Sequence, residues 1–458
     1  MRCIVLAALV LSGGYAMADE LLANPDFTAV EEGVPEGWSL ELGNPRTKPR
    51  YGVVERDGTR WMQFAMRESG ASMGYIWQHV MLPEGMDAVR FQVDVRCDGA
   101  ADPLAHSLVR IYWDDEPRVH KGWPPWIYRH FPPYAQVGGG RARLDVTIPV
   151  PERANRVRFD LMARWSPGGA VSFANPSMHP APAPQRRVVR LATVQGHAPG
   201  GGTLQEAIDW AVEQVRVAAE RGADLVCLGE GINFAGIEDL EPLQACEPVP
   251  GGPMAGALAE AADARDIIVC AGLYEIDGDI CYNSAPLWGR GGELVGVYRK
   301  VHLPSPEVEW GFTPGGGYPV FETDIGHIGM QICYDNCFGE GARALALNGA
   351  EIICLPIWGS GRADNTAWPH GARMLALNNA VVYVAAIYSQ RESCVIDQHG
   401  IVLVSADGKD GVYVADVDLT PHAALNNWTE DDQITPRSYR SVWRRERMPH
   451  TYGPVLGW

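Results

Sequence analysis

Positive charge is scarce in this chain, and beyond its first residues so are long apolar runs. Against 56 acidic side chains stand 38 basic ones, a formal net charge of −18 over 458 residues, with no Lys/Arg-rich run to offset it locally. A surface of that sign repels phosphate backbones and anionic headgroups, which excludes nucleic acid and acidic membranes as principal partners. No segment after the first twenty residues approaches the ~20 apolar residues needed to span a bilayer, so no transmembrane segment is expected. There is no CxxC pair and no Cys/His spacing of the zinc-binding kind, and no metal is expected. No internal repeat of fixed period is present.

What the amino terminus does hold is a targeting pattern. Arg2 precedes the apolar run Ile4 to Leu11, and the small-residue site Ala16-Met17-Ala18 follows at signal-peptide distance. The reading is a cleavable signal peptide over 1–18 and a secreted or periplasmic mature chain. Cys3 lies ahead of the apolar stretch and does not read as a lipid-modified cysteine. Nine cysteines then remain (97, 227, 246, 270, 281, 333, 337, 354, 394), an odd number, so at least one is unpaired in a monomer. Several sit inside strand-like apolar runs, such as Cys227 in Leu225-Val226-Cys227-Leu228 and Cys354 in Ile352-Ile353-Cys354-Leu355, where a thiol packs as a small hydrophobe. Buried thiols are expected in place of a disulfide framework.

The length calls for two domains. Alternating prolines at 179–187 mark a linker, since they interrupt helices and central strands alike. Upstream, 19–178 carries short alternating segments, for example Ala88 to Val95 and Arg156 to Leu161, between Gly/Pro/Asp turns, which predicts an all-β sandwich. Downstream, 188–445 alternates strands with helices and reads as an α/β layered domain, followed by a tail at 446–458. Thr203-Leu-Gln-Glu206 is a capping box opening a helix that Gly222 stops. Further helices are expected near 254–264, 338–348 and 366–379. Strands are expected near 267–274, 281–288, 294–300, 351–356 and 381–387, with a hairpin over 319–332. The proline-broken aromatic stretch from Trp123 to Tyr134 reads as a loop, placed either to pack or roof the site or to stack on a sugar.

Three ionisable side chains each end an apolar strand, the position from which α/β domains present reactive groups: Glu230, Lys300 and Cys333. A thiol needs a base to become nucleophilic at neutral pH, and a nearby carboxylate accepts its proton. An amide carbonyl under attack develops negative charge, which a lysine stabilises together with a backbone N–H. An acid, a cation and a thiol are what thiol-based acyl transfer requires.

These residues stand in longer motifs: Leu228-Gly229-Glu230, Tyr298-Arg299-Lys300-Val301-His302-Leu303, and Gly329-Met330-Gln331-Ile332-Cys333-Tyr334-Asp335, followed by Leu355-Pro356-Ile357-Trp358 and Ser393 to Gly400. From 188 to about 445 the chain resembles the nitrilase superfamily of carbon-nitrogen hydrolases. The resemblance implies a four-layer αββα sandwich, no cofactor, and a homodimer or higher homo-oligomer. By the same resemblance Cys333 is the nucleophile forming a thioester, Glu230 the general base and later acid, and Lys300 the oxyanion stabiliser with the Tyr334 backbone N–H. Members also use a second glutamate after the lysine; Glu307 and Glu309 both fit, with spacing favouring Glu307, while Glu309 and Trp358 are possible substrate-positioning residues. Gly229 departs from the proline common before the first glutamate. His302 is expected to support the lysine and not to serve as a base.

The Cys-Tyr-Asp triplet resembles the amidase branch, so the expected reaction is hydrolysis of a small linear amide to carboxylate and ammonia, with a carbamoyl-amide or nitrile substrate as the alternative. Asn24-Pro25-Asp26-Phe27, Pro35-Glu36-Gly37-Trp38 and Gly169 to Asn175 make the first domain similar to a galactose-binding-type jelly roll, which implies a possible glycan ligand there. A catalytically lapsed glycan-binding protein is the competing class of reading. A glycosidase in the first domain ranks last, because 20–178 offers no convincing carboxylate pair.

Overall fold

The structure, a computed structural model, describes residues 20–69, 72–99, 103–114, 128–130, 135–359, 367–387, 392–420 and Tyr452. The segment 1–18 read as a signal peptide, most of the aromatic stretch 122–134, and the chain from 421 onward apart from Tyr452 lie outside the described residues. The chain divides into two compact units, the first running to Pro184 and the second beginning at Gln185.

Among its described residues the first unit is all-β apart from one turn of helix at Pro103–His106. Six antiparallel strands, ordered Ala135–Gly138, Arg141–Pro149, Ala88–Asp98, Ala170–Ala181, Thr59–Ala65 and Arg50–Arg56, form one sheet. Ser39–Leu42, Met73–Met81, Arg156–Arg164, Ser107–Asp114 and Tyr128–His130 form the other. The alternation read at 88–95 places Val89, Phe91, Val93 and Val95 inward, and that at 156–161 places Val157, Phe159 and Leu161 inward, all in one core shared by both sheets. Two-residue periodicity on half-buried sheets is what makes such strands legible.

Of the stretch 179–187 read as a linker, 182–187 lies in neither helix nor strand and holds the division between the units, but 179–181 are strand. Strand Ala170–Ala181 continues into it, with His179, Pro180 and Ala181 opposite Arg90, Val89 and Ala88. Its second strand neighbour, Thr59–Ala65, pairs only with 170–173. Pro180 thus lies where the strand has one strand partner, and a proline on an unpaired edge removes no ladder hydrogen bond.

In the second unit the strands are β1 (Val188–Gln195), β2 (Leu225–Cys227), β3 (Ile268–Cys270), β4 (Leu273–Asp277), β5 (Ile280–Trp288), β6 (Leu294–Arg299), β7 (Val320–Thr323), β8 (Gly326–Met330), β9 (Ile352–Ile357), β10 (Val382–Ile387), β11 (Cys394–Ile396), β12 (Val402–Ser405) and β13 (Gly411–Asp418). The helices are α1 (Leu204–Glu220), α2 (Pro253–Arg265), α3 (Ser305–Trp310), α4 (Gly339–Asn348) and α5 (Ala367–Asn379). One sheet runs β4-β5-β3-β2-β1-β13 with β6 on β5, and the other runs β7 to β12 in order. The central pairs β1–β2, β2–β3, β8–β9 and β9–β10 are parallel, joined by the helical crossovers that such pairs demand.

Three apolar clusters organise these elements. The first joins α1 and α2 to the first sheet through Ala211, Val215, Leu258, Val226 and Val269. The second draws on both sheets, with Leu191, Leu225 and Ile268 together with Ile328, Ile352 and Val384. The third joins α4 and α5 to the second sheet through Leu345, Ala376, Ile353 and Tyr383. The capping box at α1 is formed: Glu206 N–H donates to Thr203 Oγ1, and Thr203 N–H donates to Glu206 Oε2 at 2.8 Å. The single strand expected over 267–274 is instead two, β3 and β4. Between them Gly272 lies so close to the Glu230 backbone that an added Cβ would stand 2.5 Å from Glu230 Cα. Among the described residues no helix is long and apolar enough to cross a membrane.

Candidate active site

Glu230 follows β2, Lys300 follows β6, Cys333 follows β8 and Trp358 follows β9. The apolar strands are held by the inter-sheet core, so their ends are rigid mounts for polar groups. Lys300 is fully buried, with side-chain exposure of 0%, against 3% for Glu230 and 8% for Glu307. Its Nζ donates to Glu230 Oε1 at 2.8 Å and to Glu307 Oε1 at 2.5 Å. Asn283, inside β5, donates from Nδ2 to Glu230 Oε1 at 2.7 Å and to Glu307 Oε2 at 3.2 Å. The remaining Glu230 oxygen accepts the Trp358 backbone N–H at 2.7 Å. Buried charges persist only when paired and hydrogen-bonded, and this ring of two carboxylates, one ammonium and one amide meets that condition.

The spacing ambiguity between Glu307 and Glu309 becomes a matter of helix phase. Both lie on α3, opened by Ser305-Pro306, where a proline in the first turn loses no helical hydrogen bond. Two residues apart on a helix are about 200° apart around it. Glu307 therefore turns inward onto Lys300, and Glu309 is exposed.

Cys333 begins a short 3-10 turn, Cys333–Cys337, and sits at φ 44°, in the left-handed region that side-chain-bearing residues seldom occupy. Strain of that kind recurs at functional sites. The thiol is pushed up to about 12 by burial and by the Glu230 carboxylate beside it, against the opposing pull of Lys300 and the Gly359 backbone N–H. Burial alone would lower the Lys300 pKa, but Glu230, Cys333 and Glu307 hold it above the ordinary lysine value. Burial also raises the Glu307 carboxyl, as does Glu230 beside it, while Lys300 and Asn283 oppose the shift. At rest burial thus favours the protonated thiol beside a locked Lys300 ammonium, with Glu230 and Glu307 both bonded to that ammonium.

A second layer fixes these groups. The Asp335 carboxylate, fully buried, accepts from Tyr298 Oη at 2.7 Å and from the N–H groups of Ile332 and His302, each at 3.0 Å. It also meets His302 Nδ1 at 2.8 Å. One side chain thereby ties the segment around Lys300 to the residue before Cys333. His302 is held by this bond and by stacking on Phe338, 3.8 Å between ring centres, which fits a supporting role. Phe234 packs against Tyr274 and Trp358 at 5.5 and 5.6 Å, and Tyr274 packs against Phe312 at 4.8 Å, giving an aromatic wall. Burial raises the Tyr274 hydroxyl pKa, and so do Glu230, Glu307 and Cys333, which marks that wall as adjoining the charged groups. Tyr334 is exposed, and so is Cys337, one turn after Cys333.

Asn283 and the role of Asp335 escaped the sequence reading. The available signal for Asn283 was a carboxamide within the otherwise largely apolar run of β5; for Asp335 it was the acid closing Cys-Tyr-Asp.

Residues 190–425 match the family profile described as carbon-nitrogen hydrolase. A Pyrococcus abyssi protein named nitrilase is 36% identical over 180 residues, which cover 38% of this chain and 64% of that protein, slightly under two thirds of its length. The N-carbamoylputrescine amidase of Solanum lycopersicum is 31% identical over 274 residues, covering 53% of this chain and 87% of the plant protein. Among solved structures, an amidase of the nitrilase superfamily from Nesterenkonia is similar at 24% identity with a TM-score of 0.45, covering 51% of this chain and 92% of that one. The chain belongs to the carbon-nitrogen hydrolase family.

Proposed function

We propose that the second unit is a thiol amidase that hydrolyses a small linear amide to a carboxylate and ammonia. The observation that carries this reading is Lys300, buried between Glu230 and Glu307, with the Cys333 thiol against Glu230. Glu230 takes the Cys333 proton as sulfur attacks the carbonyl carbon. The Lys300 ammonium and the Tyr334 backbone N–H receive the developing oxyanion. Glu230 then gives its proton to the departing nitrogen, ammonia leaves, and water cleaves the thioester with Glu230 again as base. Glu307 fixes Lys300 and orients the substrate, while the aromatic wall favours a compact apolar acyl group. The three clusters in the second unit support an αββα layering for this fold. A mature chain outside the cytoplasm belongs to the same proposal, resting on the pattern at 1–18.

A carbamoyl amide is the second reading, favoured by the N-carbamoylputrescine amidases of tomato and rice, 31% and 30% identical over 87% and 89% of their lengths. Ammonia release from aliphatic, aromatic and carbamoyl amides and from nitriles, compared between the mature protein and Cys333→Ala, tests the proposal. Release that depends on Cys333 supports it and names the substrate class. Release that survives Cys333→Ala refutes the mechanism.

A further inference from the structure

Beneath the site lies a cluster that sequence spacing does not mark. The sulfurs of Cys227, Cys270 and Cys354 all lie within 4.8 Å of one another. Each of the three residues has 0% exposure. Cys227 and Cys270 face each other across the parallel pair β2–β3, while Cys354 comes from β9 in the other sheet. All three belong to the core cluster that draws on both sheets, among Leu225, Ile268, Ile352 and Val384, and none is in a disulfide.

We propose that these cysteines form a tris-thiolate site for a trivalent thiophilic ion of the arsenic(III) type. Three arguments select that class. Three sulfurs each ~2.3 Å from one pyramidal centre lie about 3.5 Å apart, inside the 4.8 Å that bounds the sulfur–sulfur separations here. Soft thiolate ligands select soft ions over hard ones. Three thiolates on a trivalent centre carry no net charge, whereas a divalent ion leaves −1 and a monovalent one −2 among the apolar residues that surround the cysteines, which burial penalises. Arsenous acid meets the requirement without redox chemistry: three S–H bonds and three As–OH bonds break, three As–S bonds form, and three waters leave.

Occupancy would reach the site above. Cys227 stands three residues before Glu230. Cys270 stands two before Gly272, which packs on the Glu230 backbone, and Cys354 stands four before Trp358, whose N–H holds the Glu230 carboxylate. Drawing the three sulfurs together pulls on all three mounts of Glu230. Binding itself is independent of the amidase proposal and is read separately from it.

The test uses the mature protein carrying Cys246→Ala, Cys281→Ala, Cys333→Ala and Cys337→Ala, which removes the more accessible thiols, incubated with sodium arsenite. The expected result is a native mass increase of one arsenic less three hydrogens, X-ray absorption showing three sulfur neighbours, and loss of uptake on adding Cys227→Ala, Cys270→Ala or Cys354→Ala. No mass gain, fewer than three sulfurs around arsenic, or uptake that persists in any of those three variants overturns the proposal. Should the triple-site variants fail to fold, the sulfur count in the parent protein decides alone.

Discussion

Asn283→Leu removes one carboxamide of nearly equal size from the charged ring and leaves its other members in place. The native Nδ2 donates to Glu230 Oε1 at 2.7 Å and to Glu307 Oε2 at 3.2 Å. A hydrogen bond to an ionised group contributes ~1.5–3 kcal/mol, and the longer contact counts for less. The expected loss is therefore about 2–3 kcal/mol, which is ~30- to 150-fold in kcat/KM if the carboxylate geometry is set in the transition state. The pH dependence carries a sign as well. Burial and Glu230 raise the Glu307 pKa and Asn283 opposes them, so removing Asn283 raises it further and moves the acid limb of kcat/KM to higher pH. A raised carboxyl binds its proton more tightly in the folded state. The stability it contributes is full below the unfolded pKa and is lost as pH rises through the folded value. Asn283→Leu should widen that window upward in thermal melts taken from acid to neutral pH. An unchanged acid limb, with kcat/KM within threefold of the parent, would refute the reasoning.

Lys300→Met leaves two buried carboxylates without their cation; one partner's removal from a buried ion pair costs ~3–5 kcal/mol, so a clearly lower Tm should accompany loss of hydrolysis. A Tm unchanged at neutral pH would contradict the pairing. Gly272→Ala puts a Cβ 2.5 Å from Glu230 Cα, and overpacking of this kind costs ~1–3 kcal/mol; lower kcat and lower Tm together are expected, while a neutral result would mean the strand ends yield freely. Asp335→Asn replaces an acceptor-only group that serves Tyr298, Ile332 and His302, so kcat should fall with KM little changed and Asp335→Glu should recover only part of it. A change confined to KM would remove Asp335 from the positioning of Cys333 and Lys300.

The contrast between Glu307 and Asn283 shows what a linear reading resolves. Glu230, Lys300 and Cys333 stand out because each closes an apolar strand, and strands of β-branched and aliphatic residues are visible as such. Choosing between Glu307 and Glu309 needs the phase of a six-residue helix, which one proline and one turn of sequence do not convey. Asn283 becomes visible only when β5 is laid beside the ends of β2 and β6, a tertiary fact. The thiol cluster is illegible for the same reason: Cys227 and Cys270 are register partners and Cys354 comes from the facing sheet. Pro180 misled in the other direction, because proline's cost in a strand depends on whether its edge is paired, and pairing is absent from the sequence.

The central claim is that acyl transfer passes through Cys333. Intact mass of the protein quenched during turnover of a hydrolysed amide measures it directly. The account expects an acyl adduct that maps to Cys333, forms in the parent and is absent from Cys333→Ala. Turnover with no adduct under rapid quench, or an adduct that maps to another residue, would contradict it.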